Sequence, residues 1–364
     1  MSARLTPHAS RILMIMAGGT GGHIFPALSV AEYLRAQGWN IVWLGSKAGM
    51  ETQLVAPKGY TMAWISMSGV RGRGLLRLAL LPLQLLISFW QSARAIFAHR
   101  PDVVLGMGGY VSFPGGMMAS LLNRPLAIHE QNSIAGLANR VLARLADCVL
   151  AGFPDAFGAS TALIWTGNPV RGDIARLAAP GERYRARSGP LRLTVIGGSL
   201  GAQALNDIVP QALALLPAAG RPLVTHQSGE RHLAQAQANY QRAGVAATLV
   251  PFIADMAAQY AESDLIICRA GASTIAELAA AGIASVLVPF PRAVDDHQTH
   301  NARFLSERGA AVLVPQHEFT PRKLADLLRG FTREALLEMA QKARSAAKPD
   351  ATRVVAEACM GLAA

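Results

Sequence analysis

The segment Ala17-Gly18-Gly19-Thr20-Gly21-Gly22-His23 puts a hydroxyl, an imidazole and four glycines into seven residues. The apolar run Met14-Ile15-Met16 precedes it and an amphipathic run follows, so it reads as strand, tight turn and helix start. Glycines let a ligand approach the main chain closely, and the N–H groups of a helix's first turn face whatever occupies the turn. That chemistry is an anion seat, most naturally for phosphate. A second copy stands at Leu193-Thr194-Val195-Ile196-Gly197-Gly198-Ser199-Leu200-Gly201-Ala202, with Ser199 matching Thr20 and Gly201 matching Gly22. The informative mismatch is His23 against Ala202.

Other polar clusters follow apolar runs in the same way. Gly106-Met107-Gly108-Gly109-Tyr110 ends the run 102–105, and His129-Glu130-Gln131-Asn132 ends the run 125–129. Strand ends of this kind line the ligand crevice of open α/β sheets, which favours a site over a structural histidine. Cys268-Arg269-Ala270-Gly271-Ala272-Ser273-Thr274-Ile275-Ala276-Glu277 is again strand, glycine turn and helix start. Thr274 and Glu277 have the spacing of a capping box, and a carboxylate at that point can equally accept both hydroxyls of a ribose; the two readings stand level. Asp295-Asp296-His297-Gln298-Thr299-His300 has no recognised metal spacing, and a helix with Asp in its first turn accounts for the acids. Gln298 and His297 read as sugar hydrogen-bonders.

These clusters need elements to position them. Helix-like patterns over 25–37 and 203–216 follow the two glycine turns, and strand-like runs recur at 40–44, 222–226, 247–250, 264–268 and 284–288. The pattern is two similar α/β units in tandem. A length of 364 residues suits two domains. Thr166-Gly167-Asn168-Pro169-Val170-Arg171 breaks regular structure and opens an Ala/Arg/Gly-rich stretch up to Pro190, which places the boundary near 168 and reads as a linker. Arg171 there is placed either to be solvated or to meet a ligand phosphate. The second strand ends in Gly45-Ser46 and lacks the acid that holds an adenosine ribose, which counts against a dinucleotide enzyme.

Composition excludes more than it selects. Hydrophobic residues make up 51% and charged ones 16%, which rules out disorder and suits sheets buried on both faces. A net charge of +11 and a pI near 10.2 favour anionic partners. The basic residues are scattered without aromatic interleaving, so nucleic acid ranks last. Cys148, Cys268 and Cys359 give neither a disulfide framework nor a metal spacing. No metal or cofactor is expected. The first residues, with His8 and Arg11, lack the apolar core of a signal peptide, and the expectation is a cytoplasmic protein.

Ser68-Gly69-Val70-Arg71-Gly72-Arg73-Gly74 is a basic loop leading into a helical run from Leu75 to His99. Its apolar part is broken by Arg77, Pro82 and Gln84 and falls short of the ~20 residues that span a bilayer. One reading is a membrane-facing surface, with leucines entering the interface and arginines meeting anionic head groups; the other, which sequence alone favours, is a buried helix.

In order, the two glycine turns, Gly106 to Tyr110, His129 to Asn132, Gly167-Asn168-Pro169-Val170-Arg171 and Asp295 to Gln298 closely resemble the MurG family, the N-acetylglucosaminyltransferases of peptidoglycan synthesis. The resemblance runs from about residue 11 to the C-terminus. It implies an α/β fold of two Rossmann-like parallel-sheet domains facing across a cleft, the GT-B architecture. Domains are expected at 1–168 and 169–345, with a helix at 346–364 crossing back to the first. It implies transfer of N-acetylglucosamine from UDP-N-acetylglucosamine to the 4-hydroxyl of the N-acetylmuramoyl unit of lipid I, giving lipid II with inversion. Thr20, Gly21, Gly22 and Asn132 would touch the donor from the first domain. Arg171, Ser199, Ile253, Ala272, Ser273, Thr274, Ile275, Ala276, Glu277 and Gln298 would hold it from the second, Ile253 at the uracil and Glu277 at the ribose. The segment before Gln298 varies in the family, which leaves its sugar contact open by a residue. His23 is the leading general base, because only the first copy of the turn carries it and an imidazole's ordinary pKa of ~6.5 suits proton transfer near neutrality; Glu130 and His129 are the reserves. Implied partners are lipid I, an anionic membrane surface at the cytoplasmic face and other cell-wall synthesis proteins. A UDP-N-acetylglucosamine epimerase and a non-catalytic UDP-sugar-binding protein are the rival readings.

Overall fold

The computed structural model describes residues 11–67, 80–159, 161–198 and 201–364. Ser199 and the basic loop with Arg71, Arg73 and Arg77 lie outside the described residues. The chain divides into two compact units, Met1–Pro169 with Asp350–Ala364, and Val170–Pro349.

In the first unit the strands are Ile12–Met16 (β1), Asn40–Gly45 (β2), Thr61–Trp64 (β3), Val103–Gly106 (β4), Leu126–Glu130 (β5), Cys148–Ala151 (β6) and Ile164–Trp165 (β7). All pair in parallel, in the order β3-β2-β1-β4-β5-β6-β7. β1 shows why the sheet needs cover on both faces. Leu13 and Ile15 enter one core with Ile24, Leu28 and Leu34 of the helix Gly21–Ala36, while Met14 and Met16 enter another with Ile96, Val111 and Leu142. The helix Ala351–Leu362 contributes Val355, Ala356 and Cys359 to the first of these cores. Helix Gly21–Ala36 starts four residues ahead of the expected 25, because its first turn is built from Gly21, Gly22 and His23, poor helix formers that tertiary packing overrides.

The second unit repeats the plan. Its strands Arg192–Ile196 (β8), Leu223–Gln227 (β9), Thr248–Val250 (β10), Leu265–Cys268 (β11), Ala284–Leu287 (β12) and Val312–Leu313 (β13) run parallel in the order β10-β9-β8-β11-β12-β13. In both sheets the order reverses beside the first strand, at β1/β4 and at β8/β11, and such a switch point opens a crevice at the strands' carboxyl ends.

The Ala/Arg/Gly-rich stretch up to Pro190 lies in the second unit. It forms the helices Gly172–Ala175 and Pro180–Arg185, and its arginines tie the unit together. Arg187 pairs with the buried Asp264 at 2.5 Å, and Arg333 reaches the other carboxylate oxygen at 3.3 Å. Arg183 donates to the carbonyls of Tyr260, Ala281 and Gly282. Spacing alone cannot separate an arginine that ties carbonyls together from a solvated one.

The described part of the Leu75–His99 run overturns the buried-helix expectation. In the helix Leu81–His99, Leu83, Leu86, Ile87, Trp90 and Phe97 are 41–66% exposed, whereas Ser88 and Ser92 are fully buried. Small serines let the helix sit close to the rest of the unit, with Ile96 and Leu85 packed on the core, while Leu83, Leu86, Ile87, Trp90 and Phe97 point away. Leu121 and Leu137, on neighbouring helices Ser112–Leu121 and Leu137–Leu142, are each 71% exposed. Among the described residues no helix is long and apolar enough to cross a membrane.

Candidate active site

At the first switch point the turn after β1 meets the turn after β4. Gly109 lies against the Gly18 carbonyl with no room for a side chain, and Gly108, at φ +92°, leaves space for a ring: a Cβ there would stand 2.6 Å from His23 Nδ1. His23 occupies the first turn of its helix, behind Thr20, whose carbonyl accepts from the His23 and Ile24 N–H groups. The Thr20 side chain is exposed, Gly21 and Gly22 are half-buried, and no acid stands in the helix's first turn. The positive end of the helix dipole is therefore uncompensated by any acid of the helix's own first turn, which suits an anion seat.

Behind His23 runs a polar chain. Its Nδ1 is 2.8 Å from Gln131 Oε1, Gln131 Nε2 is 3.0 Å from His129 Nδ1, and His129 Nε2 is 3.0 Å from the Gly167 carbonyl. His129 is fully buried and desolvation pushes its pKa down to about 4. Glu130, also buried, accepts from Asn132 N–H at 2.9 Å and Nδ2 at 3.2 Å with Oε1, and from Asn139 Nδ2 at 2.8 Å and Gly136 N–H at 3.2 Å with Oε2. Of the two reserve bases, His129 has both ring nitrogens engaged and Glu130 both oxygens. Through these bonds Glu130 ties Asn132, Gly136 and Asn139 together.

The second unit has a matching neutral histidine. His226, buried, lies between Asn206 Oδ1 and Tyr240 Oη, each at 2.9 Å, and desolvation lowers its pKa to about 4. Below pH ~6.5 the unfolded chain binds protons that both folded rings refuse, so this stability is complete above that pH and drains away as pH falls toward about 4. We expect each ring to account for on the order of 3 kcal/mol over that range. Denaturant titrations at pH 7.5 and 4.5 read it, and equal midpoints would contradict two neutral buried rings.

At the second switch point the helix Ala272–Ala281 begins after Gly271, again with no acid in its first turn. This corrects the capping-box reading: Gly271 is the N-cap, so Thr274 sits inside the first turn and Glu277 a turn beyond it. The Glu277 carboxylate instead accepts from Arg171 Nη2 at 3.2 Å and from the Tyr260 hydroxyl at 3.0 Å. Burial pushes its pKa up, opposed by Arg171 and by the Tyr260 hydrogen bond. Along the same helix Ala272 and Ile275 are buried, and Ser273, Thr274 and Ala276 half-buried.

Nearby loops are strapped by amide side chains. Gln298 Oε1 accepts from Phe290 N–H at 2.9 Å and Ala270 N–H at 3.3 Å, joining the turns after β12 and β11. Ile253 is nearly buried, and its N–H donates to Gln227 Oε1 at 3.1 Å, while Gln227 Nε2 donates to the Gly198 carbonyl at 3.0 Å. Asp295 and Asp296 have φ of 52° and 49° and precede the helix His297–Ser306, so they do not form its first turn as expected; Asp296 accepts from Thr299 Oγ1 at 2.7 Å.

Gln227, Tyr260 and Glu51 carry no marker in the sequence reading. Gln227 ends β9 and was open to the strand-end rule. Glu51, fully buried behind Gly18 and accepting from Ser46 N–H at 3.2 Å, stands in a stretch that looks like surface, and Tyr260 meets Glu277 only through the fold.

Residues 13–151 match the glycosyltransferase family 28 N-terminal domain and residues 192–355 the family 28 C-terminal domain. A protein of Nitrosospira multiformis is 62% identical over 355 residues, covering 98% of this chain and 99% of its own. One of Ralstonia nicotianae is 59% identical over 366 residues, covering 100% of both chains. Both are named UDP-N-acetylglucosamine–N-acetylmuramyl-(pentapeptide) pyrophosphoryl-undecaprenol N-acetylglucosamine transferase. The crystal structure of Acinetobacter baumannii MurG superposes with a TM-score of 0.83 at 40% identity, over 96% of this chain and 99% of that one.

Proposed function

Because the chain belongs to the MurG family within glycosyltransferase family 28, with its two-domain GT-B fold, we propose that it transfers N-acetylglucosamine from UDP-N-acetylglucosamine to the 4-hydroxyl of the N-acetylmuramoyl unit of lipid I, forming lipid II with inversion at the anomeric carbon. The observation that carries this is full-length likeness of about 60% to transferases of that name. The epimerase and the non-catalytic reading are not favoured by it.

The geometry of each unit supports specific roles. In the second unit Glu277 takes the ribose hydroxyls, the N-terminus of Ala272–Ala281 and Arg171 take the diphosphate, and Ile253 and Gln298 border the uracil and the sugar; Ser199 belongs to the same set from outside the described residues. Fixed dipoles and one guanidinium stabilise the departing UDP. In the first unit Thr20, Gly21, Gly22 and Asn132 are donor contacts, and His23 removes the proton of the attacking hydroxyl. A coupled UDP-release assay tests the reaction: release that requires a lipid I analogue is expected. Donor epimerised without acceptor, or bound and left intact, would overturn it.

The acceptor is a polyprenyl diphosphate held in a bilayer, so the protein docks on the cytoplasmic face of the membrane, beside the other cell-wall synthesis proteins that serve cell shape and division. What supports docking is the outward apolar row Leu83, Leu86 and Trp90, with the exposed Arg94 on the same helix and Arg140 on the helix Leu137–Leu142. Replacing Leu83, Leu86 and Trp90 with Ser should weaken co-sedimentation with anionic vesicles at least ~10-fold, since each buried side chain contributes roughly 1.5–3 kcal/mol, and should spare donor binding. Arg71, Arg73 and Arg77 changed together to Ser should cost ~1 kcal/mol each at low salt, a loss that salt erases. Vesicle binding equal to wild type in both variants would remove this segment from the membrane surface.

A further inference from the structure

We propose that Gln131 is the positioning residue that fixes the tautomer of His23, holding its proton on Nδ1 so that Nε2 keeps the lone pair. This rests on the reading of His23 as the base. The argument starts from the far end of the polar chain. The Gly167 carbonyl only accepts, and the Thr166 hydroxyl, 3.2 Å from the same ring nitrogen, spends its hydrogen on that carbonyl at 2.7 Å, so His129 Nε2, 3.0 Å from the carbonyl, carries a hydrogen. His129 is enclosed and neutral, so its Nδ1 has a lone pair and accepts from the Gln131 amide nitrogen at 3.0 Å. The same nitrogen donates to the His129 carbonyl at 3.1 Å, which uses both of its hydrogens.

The amide is thereby locked one way round. Turning it over would face Gln131 Oε1 toward the His129 carbonyl and toward a lone pair on His129 Nδ1, two acceptors in a buried place. In the locked orientation Oε1 points at His23 Nδ1 from 2.8 Å, and an amide oxygen only accepts. His23 therefore donates from Nδ1, and Nε2 is the nitrogen that takes a proton. Protonation at Nε2 leaves the Nδ1–H bond in place, so the ring can charge without reorganising its support. Gly108 belongs to the same device, since a side chain there would press on His23 Nδ1 and stand 3.2 Å from Gln131 Oε1.

Nitrogen-15 NMR of the histidine rings in the whole protein above pH 8 reads the assignment directly. His23 is expected with Nδ1 protonated and Nε2 bare, and His129 with the opposite tautomer. In Gln131→Met, similar in size and without the amide, His23 should shift to a mixture of tautomers or to the Nε2–H form. Its kcat should fall 10-fold or more, while KM for UDP-N-acetylglucosamine stays within twofold. His23 protonated on Nε2 in the wild type would overturn the proposal, and so would a Met variant with unchanged tautomer and kcat. If instead the tautomers are as stated and His23→Ala keeps its turnover, the base assignment fails and the positioning by Gln131 stands.

Discussion

Replacing His23 with Ala should lower kcat by ~100-fold or more and leave UDP affinity within about twofold, because a general base acts on the proton in flight and not on the bound donor. The ring is supported from behind by Gln131 and seated against Gly108. Isothermal titration with UDP and steady-state rates with a lipid I analogue separate the two effects. Near-normal turnover would show that His23 only packs the turn. The role would then move to Glu130 or His129, and substitution of each in turn would say which.

The second large effect is expected at Glu277. Glu277→Gln keeps a hydrogen-bond acceptor for the Tyr260 hydroxyl but removes the charge opposite Arg171 and the strong acceptor offered to a ribose. Donor affinity should fall by up to ~3 kcal/mol, roughly 100-fold in Kd, the range for hydrogen bonds to a charged group. Melting temperature should change far less, because the helix is capped at Gly271 and does not depend on this side chain. A variant that binds UDP as well as wild type does would take Glu277 out of the donor site and leave it as the partner of Arg171 and Tyr260.

Local pattern carried most of the architecture. Apolar runs ending in glycine turns and followed by helical periodicity predict two parallel α/β units, and the duplicated turn at Gly18 and Gly197 says that the units are alike. Backbone needs imprint themselves on contiguous residues, and contiguous residues are what a sequence displays. The ordered motifs from Gly18 to Gln298 likewise point to the MurG family, to which the full-length comparisons assign the chain.

Side-chain partnership was decided elsewhere. Thr274 and Glu277 keep capping-box spacing, yet the helix starts at Ala272 and Glu277 turns to Arg171, 106 positions away in the chain, and to Tyr260. Arg183 and Arg187 carry no marker in the sequence and are drawn inward by carbonyls at the end of Ala272–Ala281 and by Asp264. The helix Leu81–His99 has a core-like composition, but Ser88 and Ser92 are buried while Leu83, Leu86 and Trp90 face out, because the side of a helix that is buried depends on what packs against it. His129, Gln131 and His23 look like separate polar residues until β5 and the turns after β1 and β4 bring them to one switch point. Periodicity can specify a strand or a helix from a few neighbours. Hydrogen-bond direction, desolvation and exposure depend on atoms tens to hundreds of residues away, so only the tertiary structure sets which of two equally spaced polar groups is chemistry and which is scaffold.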